Sequence, residues 1–321
     1  MYRREFIAAA LGAGCTPPAV QAQPAGKTFR VGWLDFSSSA ENLGTFKKAM
    51  GTQGWLEGKS FRLEYRGGEG KIEQLSKAAT ELVRMPVDVI VAPGAPETLA
   101  AKKATASIPI VMTSVDDPVA RGFVAGLARP GGNITGLTNG RRELSGKLLS
   151  LLRELSPRAS SAAVLWDSTE PEQGVTVGHL QAAARTLGVA LDSVPVQRHA
   201  DVEPAFAAIK KQKIQLLVVQ PSDMLVPRWI ADLAHKHGLP LASTSPAYVY
   251  EGGLIAYTED WNAVFDRAAN LVDRILKGAK PADLPVELPT KFKLIVNAKT
   301  ARSLGLTIPP TITVQADHIV E

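Results

Sequence analysis

The sequence predicts an α/β fold with two Rossmann-like lobes, each built on a parallel sheet and joined by a hinge of several chain crossings. Short apolar segments alternate with segments of helical periodicity from residue 27 to residue 114, which is typical of a parallel sheet covered by helices. The same order starts again at Ser160, about 130 residues later, as an internal repeat. A single extended sheet could also carry the pattern, but the repeat favours two lobes.

The first copy of the pattern starts with an apolar run at Phe29–Asp35, which predicts a buried strand. The hydroxyl side chains that follow it are good helix caps. Farther along, the apolar residues of 71–85 recur at the spacing of an amphipathic helix. The predicted order after the first strand is helix 41–53, strand 61–65, helix 71–85, strand 87–92, helix 96–107 and strand 108–113.

The second copy repeats this order with the same local features. Its first strand, at 162–167, ends in Trp166-Asp167 as the first copy's strand ends in Leu34-Asp35. The predicted order continues with helix 175–187, strand 189–195, helix 201–212, strand 214–219, helix 226–237 and strand 239–244. The repeat therefore predicts two lobes of similar topology.

The remaining segments are too few for a third lobe. They are predicted as a strand or connection at 252–257, a helix at 262–277, a proline-punctuated extended segment, a last strand at 292–296 and a short helix at 300–304. These segments return across both lobes, which makes a hinge and a cleft. We expect lobe I to comprise 28–138 plus 258–286, and lobe II to comprise 139–257 plus 287–321.

The N-terminus has the features of an export signal. Residues 1–22 combine a basic start, a short apolar stretch and a small-residue exit ending at Ala22, which predicts a cleaved signal peptide and a periplasmic protein. Arg3-Arg4 is also typical of a twin-arginine signal. Cys15 raises a lipid anchor as an alternative, but Gly12 stands where a large aliphatic residue is usual, so the pattern favours soluble export.

Composition and motifs exclude several classes of function. The net charge is +5 and the basic residues are scattered, whereas nucleic-acid binding needs a basic patch. One cysteine rules out a disulfide scaffold and a cysteine-based metal site. Gly67–Lys71 lacks the spacing of a phosphate-binding loop, and His235 and His237 do not share a helix face. We therefore predict no catalytic residue, no metal and no cofactor, with a small-molecule ligand and no nucleic acid as partner.

Polar residues at the carboxyl ends of the predicted strands mark the cleft, because ligands of open α/β sheets bind there. The helix start at 95–98 could hold an anion through free backbone N–H groups, and Asp117 or Asp223 could hold a cation. Together they predict a zwitterion such as an amino acid. The alternative is that these side chains cap helices, with Asp117 capping the turn that starts at Pro118. Tyr257 is predicted either to pack in the core or to stack on the ligand.

Several motifs carry a resemblance to a known family. They are Asp117-Pro118-Val119, the run Gly-Phe-Val-Ala-Gly-Leu-Ala-Arg-Pro-Gly-Gly-Asn-Ile-Thr-Gly at 122–136, and the segments at 274–285 and 300–310. With them, residues 28–321 resemble the substrate-binding proteins of ABC transporters with the type I periplasmic binding protein fold. The most similar branch includes receptors for tryptophan and tyrosine.

The resemblance implies that the protein captures a small polar ligand between its lobes and delivers it to a permease in the inner membrane. It places ligand contacts in the loop that starts at Gly94, at Asp117 and around Asp223, and it brings Ser37 near the cleft. Relatives often have a threonine where this chain has Ala95, which leaves backbone N–H groups as donors there. The predicted ligand-binding residues are Ser37, Gly94, Ala95, Thr98, Asp117, Asp223, Ser245 and Tyr257.

Two other functions stay open at this point. An exported α/β enzyme acting on a small metabolite in the cleft could use the same scaffold. A sensory or structural module is less favoured, since no partner domain is fused to the chain. We expect a monomeric solute receptor.

Overall fold

The computed structural model of the chain describes residues 27–36 and 40–321. The predicted signal peptide, Cys15 and Ser37 lie outside those residues. The strands are β1 Phe29–Asp35, β2 Phe61–Gly67, β3 Val89–Ala92, β4 Ile110–Val115, β5 Ile134–Thr138, β6 Ser161–Asp167, β7 Ala190–Val196, β8 Leu216–Val219, β9 Leu241–Ser243, β10 Ile255–Glu259, β11 Phe292–Asn297 and β12 His318–Val320. The helices are α1 Ala40–Thr52, α2 Ile72–Arg84, α3 Ala95–Ala104, α4 Arg141–Leu155, α5 Pro171–Leu187, α6 Val202–Lys211, α7 Pro227–His237, α8 Pro246–Tyr250, α9 Trp261–Leu276, α10 Ala298–Ser303 and α11 Pro310–Gln315.

The described strands form two sheets. The first has the order β2-β1-β3-β4-β5 and is parallel throughout. The second has the order β12-β11-β10-β9-β8-β6-β7 and is parallel except where β11 runs antiparallel to β10. Below, lobe I means the part built on the first sheet and lobe II the part built on the second. None of the described helices is long and apolar enough to cross a membrane.

Both faces of the lobe I sheet are covered, as its near-continuous apolar strands require. Trp33 of β1 is fully buried and lies 5.9 Å from Phe265 of α9, measured between ring centroids. The indole of Trp55 donates a 2.8 Å hydrogen bond to the carboxylate of Asp273 in the same helix. Helix α9 therefore follows a strand of the lobe II sheet along the chain but packs on lobe I.

The end of the chain corrects one prediction. We predicted the strand at 292–296 as the last one, and this is wrong, because β12 pairs with β11 beyond it. The three residues of β12 are too short to show the alternation by which a strand is recognised. Its pairing with β11 depends on a neighbour that only the folded sheet supplies.

The chain passes between the lobes three times, and the three crossings lie side by side. The first runs from β5 to α4, the second from β10 to α9, and the third from lobe I to β11. Asp260 on the second crossing donates its N–H to Lys291 O on the third at 3.0 Å. Thr138 at the start of the first crossing donates its N–H to Glu287 O at 2.9 Å. These bonds join the crossings into one hinge.

A glycine allows the strand before the first crossing to reach its place. Gly136 has φ +139°, and a Cβ there would lie 1.9 Å from the carbonyl oxygen of Met112 on β4. Any side chain would push β5 away from β4, since real Cβ atoms do not come so close to backbone. The close approach sets where the chain leaves lobe I.

Candidate ligand-binding site

A cavity of about 300 Å³ lies at the carboxyl ends of strands from both sheets, beside the hinge. Lobe II contributes the ends of β8, β9 and β10 and the first turns of α4 and α5, whereas lobe I contributes the end of β4 and the start of α9. The described lining residues are Ser114, Asn139, Leu144, Ser145, Glu170, Gln173, Thr176, Gln220, Pro221, Thr244, Ser245, Pro246, Thr258, Glu259 and Trp261. This is where ligands of open α/β sheets bind.

Gln173 holds the lobe II wall of the cavity together. Its side chain is buried, and its Oε1 accepts the N–H of Asp167 at 2.9 Å. Its Nε2 donates to Pro221 O at 3.0 Å and to Glu170 Oε2 at 2.9 Å. One amide thus fixes the end of β6, the start of α5 and the loop after β8.

A serine pair shapes the loop after β9. The hydroxyl of Ser243 donates to Val219 O at 3.0 Å and accepts the N–H of Ser245 at 3.2 Å. This places Thr244 and Ser245 at the cavity. Ser245 is the one predicted ligand-binding residue among the described lining residues.

The hinge wall carries a carboxylate and an amide, both buried. Glu259 ends β10, is 4% exposed, and its Oε1 accepts the N–H of Gly140 at 3.0 Å. Asn139 directly follows β5 on the first crossing and is 7% exposed. Its Oδ1 has no hydrogen-bond partner within the described part of the chain. Trp261, at the start of α9, is 38% exposed and its indole lines the cavity. The wall therefore offers two acceptors and an aromatic face.

The profile of the family described as ABC transporter substrate binding proteins matches residues 33–320. The chain belongs to that family. A tyrosine-binding protein of Clostridioides difficile is 26% identical over 264 residues, covering 81% of this chain and 75% of that protein.

Solved structures agree on the fold. A domain in complex with L-Trp from Streptococcus pneumoniae superposes with a TM-score of 0.80 at 23% identity and covers 92% of this chain and 100% of its own. A ligand-free, open substrate-binding protein with adhesive properties from Clostridium difficile gives 0.75 at 22% identity, covering 91% and 99%. At these identities the two structures establish the fold alone, and they confirm the predicted pair of α/β lobes.

Membership of the family confirms the predicted class of function. Substrate-binding proteins of ABC transporters bind small molecules and work with a transporter, and they are not enzymes. The open alternative of an exported enzyme has no support from any of these matches. Members of the family are typically extracellular or periplasmic.

In this substrate-binding protein the predicted loop of lobe I does not line the cavity. Thr98 is fully buried, and its hydroxyl donates to Gly94 O at 2.7 Å within its own helix. Ala95 is also buried. The side chain between them, Glu97, lies over the helix start, and its Oε1 accepts the N–H of Phe36 at 3.1 Å. The start of α3 is thus occupied by its own carboxyl group.

Glu97 is electrostatically unusual. Burial raises its pKa to about 7, hydrogen bonds from backbone N–H groups oppose the shift, and the nearby carboxylate of Asp35 adds to it. A carboxyl at the third position of a helix commonly reaches back to the helix start, as in a capping box. An ionised Glu97 carboxylate would repel an anion at the start of α3, whereas a protonated Glu97 would not.

Three other predicted residues lie away from the cavity. Asp117 is exposed, has φ +40°, and its Oδ1 accepts the N–H of Ala120 at 3.0 Å. Asp223 is exposed in the turn before α7. Tyr257 stacks on Phe292 with ring centroids 5.6 Å apart and packs against the lobe II core. Their roles as ligand contacts stay predictions.

Sequence reasoning misses the two hinge residues, Asn139 and Glu259. Both follow strands directly, so the rule that ligands bind beyond strand ends could have found them. Gln173 has no such signal, because its role depends on three backbone segments that meet only in the fold.

Proposed function

We propose that this substrate-binding protein is a periplasmic receptor that captures an amino acid or a similar small zwitterion in the interlobe cavity. It then delivers the ligand to the permease of an ABC transporter in the inner membrane. The observation that carries this proposal is the cavity at the hinge, whose buried polar lining combines the Glu259 carboxylate with neutral donors and the exposed ring of Trp261.

The lining supports a zwitterion because both charges find complementary groups. An ammonium needs acceptors, and the hinge wall supplies them at Glu259 and Asn139. A carboxylate needs donors, and Ser145 and Thr176 present hydroxyls beside the first turns of α4 and α5, where backbone N–H groups and the helix dipoles favour an anion. The tyrosine-binding relative and the L-Trp complex support an amino acid with a ring, which Trp261 could stack on.

Lobe I then acts as the closing half. Its predicted contacts at Gly94, Ala95, Thr98 and Asp117 would reach the ligand only if the lobes rotate about the three crossings. A ligand shifts such an equilibrium by the contacts that it makes in the closed form alone. We expect the radius of gyration from small-angle scattering to fall when the ligand saturates the protein.

Binding without turnover is the decisive experiment. The mature chain is screened by thermal shift against the twenty amino acids, their amides and small carboxylates, and each hit is titrated by calorimetry. A true ligand raises the melting temperature progressively above its dissociation constant, binds one to one, and is recovered unchanged. Failure of every amino acid to bind, or chemical conversion of a hit, would contradict the proposal.

The location of the protein follows the same proposal. Residues 1–22 are removed on export, and the mature chain begins near Gln23 without a lipid on Cys15. Intact-mass analysis of the protein from the periplasm of an exporting host checks this. A chain still starting at Met1, or one that begins at Cys15 and carries lipid, would contradict it.

A further inference from the structure

We infer that the hinge itself recognises the ligand's ammonium group: Asn139 on the first crossing and Glu259 at the start of the second form one cation subsite. This deepens the proposed function and rests on it. The receptor would therefore require a protonated amine in its ligand, and a carboxylate alone would not be sufficient for capture.

Asn139 is the first observation. A buried polar atom without a partner is uncommon, because its desolvation costs free energy that no hydrogen bond offsets. Asn139 is only 7% exposed, lines the cavity, and leaves Oδ1 without a hydrogen-bond partner within the described residues. A ligand that donates a hydrogen bond to this oxygen removes the cost.

Glu259 is the second observation, and it identifies the donor as a cation. Its carboxyl group is 4% exposed and borders the same cavity. Its Oε1 already accepts the N–H of Gly140, the residue that follows Asn139, and this bond holds the carboxylate against the first crossing. A carboxylate beside a neutral acceptor suits an ammonium, which has three donors and no acceptor.

The charges of the lining agree with this assignment. Among the described lining residues, Glu170 and Glu259 are acidic and none is lysine, arginine or histidine. An anion without an ammonium would leave Asn139 Oδ1 without a donor. A ligand with a protonated amine is therefore favoured over the matching carboxylic acid at this position.

The position of the subsite couples recognition to the hinge. The bond from Gly140 N–H to Glu259 joins the first and second crossings across 119 residues of sequence. An ammonium held by Glu259 and Asn139 would add a bridge between the same two crossings. The carboxylate of Glu259 would thus take part both in ligand binding and in the hydrogen bond that joins the two crossings.

Matched ligands test the inference. Calorimetry compares L-tyrosine, L-tryptophan and L-isoleucine with their decarboxylated amines (tyramine, tryptamine, 2-methylbutylamine) and their deaminated acids. We expect each deaminated acid to bind at least about 30-fold more weakly than its amino acid, the loss typical of removing one partner of a buried charge pair. Glu259→Gln should cost the amino acid a similar factor without weakening the binding of the deaminated acid, and Asn139→Ala should cost the amino acid about tenfold.

The glutamine of Glu259→Gln can still accept the Gly140 N–H, and a melting curve verifies its fold. If that variant fails to fold, Asn139→Ala with the same ligand pairs carries the test. Glu287→Gln is the matched control: Glu287 lies on the third crossing, pairs with Arg267 at 2.7 Å, and is absent from the described cavity lining. It should leave affinity and discrimination unchanged.

The outcomes separate the two proposals. Equal binding of an amino acid and its deaminated acid, or an equal loss of both in Glu259→Gln, overturns the ammonium subsite while amino-acid capture stands. Binding of amines but of no amino acid overturns the proposed function and supports the subsite. No binding by any of the nine compounds or by any amino acid of the thermal-shift screen overturns both.

Discussion

The two lobes repeat one topology, but the polar groups at their strand ends are used differently. In lobe II, Gln220 and Ser245 follow β8 and β9 and line the cavity. At the matching turn of lobe I, the hydroxyl of Thr98 bonds to its own helix and Glu97 bonds to Phe36. At the turn after β3, lobe I therefore satisfies its polar groups internally, whereas lobe II turns those after β8 and β9 toward a ligand.

The difference teaches that a repeated fold does not imply repeated chemistry. Lobe II and the hinge provide the lining that a ligand would meet first, and lobe I provides a wall that is already internally bonded. We therefore interpret lobe II with the hinge as the binding half and lobe I as the closing half. Substitutions in lobe I should then change stability alone, whereas substitutions in lobe II should change both stability and ligand affinity.

The largest effect is expected at Glu97, and it depends on pH. A carboxyl whose pKa rises from 4.5 to about 7 on folding holds its proton better in the folded state. This carboxyl group contributes fully to the free energy of unfolding below pH 4.5, and the contribution is lost as the pH rises to 7. The free energy of unfolding falls by about 1.4 kcal/mol per pH unit over this range, which amounts to about 3 kcal/mol in all. Glu97→Gln should therefore gain about 3 kcal/mol relative to the wild type between pH 4.5 and pH 8.

Urea unfolding of both proteins at the two pH values measures that gain. Glu73→Gln is the control, because Glu73 is exposed in the first turn of the neighbouring helix α2. Its difference from the wild type should stay within about 0.5 kcal/mol at both values. A Glu97→Gln difference that does not change with pH would mean that the start of α3 is open to solvent or ligand, and the contrast between the lobes would weaken.

The next effect is expected at Gln173 in lobe II. Gln173→Ala leaves the N–H of Asp167 and the carbonyl of Pro221 without their partner and should cost about 2 kcal/mol of unfolding free energy. Because the same amide positions the cavity wall, affinity for the amino acid should fall about tenfold. Calorimetry and thermal unfolding of the same variant give both numbers.

Gln215→Ala provides the comparison within the same lobe. The exposed Gln215 accepts the N–H of Ser160 at 2.8 Å at the opposite end of the sheet. The Gln215→Ala variant should bind the amino acid with unchanged affinity. If both variants lower affinity equally, the loss reflects general destabilisation of lobe II rather than the position of Gln173.

The smallest effect is expected at Asp117. Its geometry favours the capping role, so Asp117→Ala should cost about 1 kcal/mol of stability and leave affinity nearly unchanged. Asp117→Asn keeps both the acceptor and the tolerance for positive φ, and it should be neutral in both respects. A loss of affinity of 30-fold or more in Asp117→Asn would instead place the ligand's ammonium at Asp117.

Much of the fold follows from the sequence because the apolar periodicity is strong. The first strand has the predicted limits, Phe29–Asp35, and every helix and strand predicted in the two repeats is present. Helix α4 is not identified, although its buried leucines, such as Leu148 and Leu152, recur at helical spacing. Its omission is a missed pattern rather than a missing signal.

The site is less predictable for a physical reason. Ser245 follows from the rule about strand ends, but the pairing of Glu259 with Gly140 joins residues 119 apart on different crossings. No local pattern records which crossings will lie side by side. Likewise, the sequence suggests the hydroxyl of Thr98 as a donor to the ligand, but in the fold this hydroxyl donates to Gly94 O.

Hydrogen exchange with and without a binding amino acid, read by mass spectrometry, tests the division into a binding and a closing half most directly. We predict the strongest ligand-dependent protection in the segments 139–145, 244–246 and 258–262, and weaker protection at 94–98, which only closure would cover. Protection confined to 94–98 and 114–119, with the hinge and lobe II segments unchanged at saturation, would contradict the account.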